Sequence, residues 1–171
     1  FNGTQTFATG TVVFLGPNSN LACVGNMTLT FGPDVVVRGT NGQIGRDWIS
    51  SGTTTIINQG LISADVPGTI QIEPEVFTNQ GTIEAINGGT LQVRNLNGSA
   101  GSVTRATGGS TLTLLGTWST NDTITSTDST VNLEGNFTLP AATPFNRSGG
   151  TVNLKGNLDN TGNTLNLDAS T

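Results

Sequence analysis

The sequence contains no histidine and no tyrosine. Without histidine the commonest general base is missing, and so is every Ser-His-Asp or Cys-His arrangement. There is one cysteine, Cys23. It has no partner for an intrachain disulfide and no second Cys or His with which to hold zinc, so between Ala22 and Val24 it reads as a structural thiol, buried in a strand or strand end. Charge is scarce too, with 6 Lys and Arg against 11 Asp and Glu, for a net −5. The basic residues (Arg38, Arg46, Arg94, Arg105, Arg147, Lys155) are scattered. They form no stripe that could neutralise phosphates, which argues against nucleic acid as a partner. No apolar run approaches the roughly 18 residues of a membrane-spanning helix. No segment sustains a 3.6-residue apolar period, so almost no helix is expected.

What is present is 24 glycines and an abundance of Thr, Asn, Val and Ile in 171 residues. That length fits one domain. Hydrophobic residues make up 33% and charged residues 10%, both below the usual globular averages of about 45–50% and about 25%. Disorder would normally pair such low hydrophobicity with high net charge and few β-branched residues. Neither holds here, which leaves an ordered β protein with a thin core.

The β-branched residues recur in a fixed frame. Gly89-Thr90-Leu91-Gln92-Val93, Ser110-Thr111-Leu112-Thr113-Leu114, Ser129-Thr130-Val131-Asn132-Leu133 and Gly150-Thr151-Val152-Asn153-Leu154 all read small, Thr, apolar, polar, apolar. This is the two-residue alternation of a strand with one buried face. The Thr residues stand at steps of 21, 19 and 21, and Gly68-Thr69-Ile70-Gln71-Ile72 lies 21 before. A last copy is Asn163-Thr164-Leu165-Asn166-Leu167. Two steps before Thr69 stands Thr28-Leu29-Thr30-Phe31, with the intervening copy expected near Trp48 and Ile49. A second apolar element follows each copy after a short turn (Phe77, Leu96, Trp118, Phe137, Leu158), and a third appears in Asn58-Gln59-Gly60-Leu61-Ile62 and Asn79-Gln80-Gly81-Thr82-Ile83.

One such unit cannot bury its own apolar face, so successive units must stack. The expected fold is therefore all-β, a parallel β-solenoid with rungs of about 19–21 residues. Roughly eight rungs at about 4.8 Å would make a rod about 40 Å long. Asn suits it twice over, because stacked amides form hydrogen-bond ladders and Asn tolerates the left-handed backbone of turns. An antiparallel sandwich also gives many short strands, but the near-constant spacing favours the solenoid. Residues 1–171 are read as a single solenoid domain, with residues 51–171 as regular rungs. Residues 1–50 are irregular N-terminal rungs, a cap, or a strand donated to a neighbouring subunit. The apolar run Thr11-Val12-Val13-Phe14-Leu15 is the candidate for that role.

The Gly-Gly-Thr-Leu/Val-x-Leu/Val pattern with interleaved Asn-Gln-Gly-x-Ile resembles the strand repeats of large bacterial surface and secreted proteins, autotransporter passengers and filamentous-haemagglutinin-like adhesins among them. The resemblance covers about residues 52–168. It implies a right-handed parallel β-helix, exported and displayed at the cell surface, and it carries over no catalytic residue. The start at Phe1, with neither Met nor a charged leader, fits a mature chain or an excised fragment.

The functional expectation is an extracellular structural protein, not an enzyme: a self-assembling subunit of a surface fibre, or an adhesin stalk. Its partners would be copies of itself, through Thr11, Val12, Val13, Phe14 and Leu15 at one end and Leu165 and Leu167 at the other. Six sequons, at Asn2, Asn26, Asn97, Asn121, Asn136 and Asn146, permit glycosylation. The alternative is a carbohydrate-binding module, with Trp48 beside Arg46 and Asp47 as the sugar-stacking candidate. A polysaccharide-active enzyme would need paired carboxylates, from among Glu73, Glu75, Asp122 and Asp128 or the isolated Asp34, Asp47 and Asp65. No cofactor is expected, calcium at Glu73 and Glu75 being the one candidate. Ice binding would need Thr-x-Thr in register on successive rungs. Thr28-Leu29-Thr30, Thr111-Leu112-Thr113 and Thr123-Ile124-Thr125 do not supply that.

Overall fold

A computed structural model describes residues 1–46, 49, 51–140 and 144–165. Two long strands come first, β1 (Gln5–Cys23) and β2 (Met27–Arg46). Shorter strands follow: β3 (Thr54–Asn58), β4 (Leu61–Ala64), β5 (Gly68–Glu73), β6 (Val76–Asn79), β7 (Thr82–Ala85), β8 (Gly89–Ala100), β9 (Val103–Thr107) and β10 (Thr111–Ser119). The last are β11 (Ile124–Thr127), β12 (Thr130–Thr138), β13 (Phe145–Ser148), β14 (Thr151–Leu154) and β15 (Asn157–Asp159). Among the described residues there is no helix, and every strand pairing is parallel.

The pairings sort into three columns, which define a β-solenoid. The first column stacks residues 5–7, 27–31, β3, β6, 96–100, 116–119, 136–138 and β15. The second stacks residues 9–15, 34–40, β4, β7, β9, β11 and β13. The third stacks residues 19–23, 42–46, β5, 89–93, 111–114, 130–133 and β14. Seven rungs are complete, and β15 begins an eighth.

The repeat frame is the register of the third column. Thr69, Thr90, Thr111, Thr130 and Thr151 are directly paired. Inside, Leu21, Ile44, Ile72, Val93, Leu114 and Leu133 stack in one file, which ends on the exposed Leu154 of the last rung. Like on like along the axis lets a thin core close over almost completely, and most of its apolar side chains are fully buried. Trp118 and Phe137 stack with ring centroids 4.9 Å apart and planes at 9°, the core column expected of them.

Two expectations about the early rungs need correction. Thr28-Leu29-Thr30-Phe31 is not a third-column copy; it pairs with β3 in the first column. The third-column partner of β5 is residues 42–45, not the neighbourhood of Trp48 and Ile49. The step from Gln43 to Gln71 is 28 residues, because the chain between β2 and β3 is longer than any regular turn. Counting back by 21 therefore lands on the wrong segment.

The corners are built as the asparagine content implied. Asn18, Asn41, Asn87, Asn95 and Asp128 adopt positive φ, which these side chains tolerate better than most. A buried amide ladder closes the corner between the first and second columns. Asn58 Nδ2 donates to Asn79 Oδ1 at 2.7 Å, and Asn79 Nδ2 donates to the Ala100 carbonyl at 2.6 Å. The ladder ends at Asn58, whose Oδ1 has no donor. The register neighbour one rung earlier is Phe31, which has none to give.

Candidate functional site

The N-terminal edge, where one set of self-association residues was placed, belongs to the solenoid itself. β1 pairs with β2 of its own chain along nearly its whole length, so residues 11–15 are the first rung rather than a separate cap. The strand alternates. Phe14 is buried with its ring against Gly42 of the next rung, whereas Val13 is 46% and Leu15 86% exposed. Thr11 is exposed and Val12 packs partly against the core. Phe1 and Val24, joined by a backbone hydrogen bond, are further exposed apolar residues nearby. The outer edge of β1 pairs with no other strand among the described residues. At the opposite end Leu165 is half-buried and packs on the core cluster. Leu167, Trp48 and Asp47 lie outside the described residues.

Charged side chains are used to tie rungs together. Arg38 donates to Asp65 at 2.7 Å and Arg105 to the nearly buried Glu84 at 2.6 Å; Arg94 meets Glu73 at 3.2 Å, and Lys155 meets Glu134 at 3.9 Å. Each pair spans adjacent rungs. Glu84 also accepts from Ser63 on its other side at 2.7 Å. The two carboxylates considered for calcium serve separate partners: Glu73 pairs with Arg94, while Glu75 accepts from the Thr54 amide at 2.8 Å. Among the described residues no three of His, Cys, Asp and Glu converge. Asp34 and Asp122 are exposed, and Asp128 sits at a left-handed corner.

Cys23 is fully buried, and burial pushes its thiol up to about 11, with the nearby N-terminal ammonium opposing and Glu75 adding to the shift. All six sequon asparagines are exposed. Asn97 and Asn136 line an open depression of about 610 Å³ on the first column. Trp118 beneath it is buried, with its indole N–H donating to the Glu134 carbonyl at 3.2 Å, so it offers no stacking platform.

The threonines of the third column are in register on five successive rungs, from Thr69 to Thr151. The residue two places on is an amide or another threonine in each of those copies. This second row is the polar position of the repeat frame, and its register on successive rungs is what the structure adds. Comparison with known protein families, curated proteins and solved structures finds no match.

Proposed function

We propose that the chain is an architectural segment of an extracellular surface protein, a stalk or fibre rod of the kind built by large bacterial secreted proteins, lengthened by adding rungs at its ends. The observation that carries this reading is the outer edge of β1. It presents a strand's unpaired backbone groups beside exposed Val13 and Leu15, and such an edge is a template for another strand. A further rung, from a copy or from more of the same chain, would pair with that edge and pack against the flanks of both side chains. The cross-rung ion pairs support the same reading, since they commit the scarce charges to stacking and away from a reaction centre.

Sedimentation velocity and negative-stain electron microscopy over a range of concentrations test the self-associating form. Expected are end-to-end oligomers that are lost in Val13→Lys/Leu15→Lys, a substitution that leaves the rest of the solenoid untouched. Monomers at every concentration would reject self-association for this chain and leave the single-chain stalk.

A further inference from the structure

The third column carries a feature that a spacer does not require. Its residues in register at the polar position are Asn20, Gln43, Gln71, Gln92, Thr113, Asn132 and Asn153, one uncharged hydrogen-bonding side chain on each of seven rungs; of these Asn132 is buried. At about 4.8 Å per rung this row repeats over roughly 29 Å. Within it Gln71 Nε2 donates to Gln92 Oε1 at 3.2 Å, Asn132 Nδ2 to Thr113 Oγ1 at 3.2 Å, and Asn153 Nδ2 to Asn132 Oδ1 at 2.9 Å. A carboxamide has two N–H donors and an oxygen with two lone pairs. A ladder contact on each side uses one of each, which leaves a donor and an acceptor on the amide for a ligand.

The row also lies in a groove. Two open depressions, of about 590 Å³ and about 280 Å³, meet at Gln92, the first running towards Asn20 and the second towards Lys155. The first has no charged lining residue. In the second, Arg94 and Lys155 are already paired with Glu73 and Glu134. The groove therefore offers periodic donor-acceptor pairs with no net charge and no aromatic platform.

Uncharged polymers of hydroxyl groups have this chemistry, because each hydroxyl both donates and accepts. A polyanion would find no unpaired basic group here. A peptide strand would find no free backbone, since this column's amides and carbonyls face neighbouring rungs. An ordered water layer of the kind that binds ice would need a flat face, and this one is hollowed. We propose that the third column is a binding groove for an extended, neutral polysaccharide lying along the solenoid axis, held by Gln43, Gln71, Gln92 and Thr113.

Affinity electrophoresis tests this with gels containing hydroxyethyl cellulose, xylan, β-1,3-glucan, galactomannan or dextran, and with polygalacturonate and alginate as acidic comparisons. At least one neutral polymer should retard the protein, and the acidic ones should not. Gln71→Met/Gln92→Met keeps the side-chain length and removes the amides. It should weaken retardation about tenfold, about 1.4 kcal/mol, with unchanged circular dichroism and melting. Thr117→Ala/Ser119→Ala, in the first-column depression, should leave retardation intact. No retardation by any neutral polymer, preference for the acidic ones, or equal loss in the Thr117 and Ser119 variant would each overturn the proposal. Thermal hysteresis without polysaccharide binding would assign the face to ice instead.

Discussion

The first two rungs and the five that follow are built from the same three columns by different means. In β1 and β2 the chain runs through all three columns as strands of 19 and 20 residues, with register shifts at residues 7–9 and 15–19. From β3 onwards no strand exceeds 12 residues or runs through all three columns, and like residues stack at like corners, as Asn58 does with Asn79. The lesson is that repetition in the sequence follows from repetition at the corners. From β3 onwards, where corner residues such as Asn58 and Asn79 or Gly116, Gly135 and Gly156 meet their own kind one rung away, the spacing is held at 19–21. In the first two rungs the spacing is 23 between Asn20 and Gln43, and the longer link between β2 and β3 raises it to 28 between Gln43 and Gln71.

The largest effect should come from breaking a stacked corner in the regular region. Gly116, Gly135 and Gly156 lie one above the other, and a Cβ on Gly135 would overlap the carbonyl oxygen of Gly116. Gly135 also has φ +83, where a β-branched residue is strained. Gly135→Val should therefore lower stability by about 3 kcal/mol or more, read as a fall in the urea midpoint. A loss under 1 kcal/mol would mean that corners are not what fixes the rungs. Next comes the buried ladder. Asn79→Leu keeps the volume but removes the acceptor for Asn58 and the donor to Ala100. The expected loss is about 2 kcal/mol, and it should raise hydrogen exchange in β3, β6 and β8 before the second column responds.

These two positions also show what was readable beforehand. Fold class, parallel stacking and the third-column register were legible because each copy repeats Thr and an apolar pair around a turn. The first two rungs were not, because register shifts in β1 and the long link between β2 and β3 break the period there, although Asn18 and Asn41 repeat one corner. Leu15 stood in a continuous apolar run with Phe14 and is 86% exposed while Phe14 is buried, since a hydrophobic run does not say which face is covered. The amide row was legible in composition at Gln71, Gln92, Asn132 and Asn153. Its meaning was not, because a groove is a property of how faces curve.

Cys23 probes the irregular region directly. Its thiol is raised from 9.0 to about 11 in the fold, so at pH 8 the native thiolate should be about 100-fold rarer than in the unfolded chain. Iodoacetamide should modify it at least that much more slowly without urea than with it. The folded state holds this proton more tightly, so its contribution to stability is complete below pH 9, falls as pH rises towards 11, and disappears in Cys23→Ala. Rapid native labelling would show that rungs one and two open readily, which would set them apart from the rest in dynamics as well as in construction.

The smallest effect is the counterpart of the first. Gly16 in β1 would meet nothing within 4 Å on gaining a Cβ, and its φ is not in the left-handed region. Gly16→Ala should change stability by no more than about 0.5 kcal/mol, because nothing stacks there as Gly116 stacks under Gly135. That indifference holds only while the rung beyond is absent. If the β1 edge receives another rung, Gly16 becomes an interior corner, and the same substitution should oppose association while leaving the monomer's melting unchanged. One glycine measured in two states thus asks whether the irregular end differs by its sequence or only by having a single neighbour.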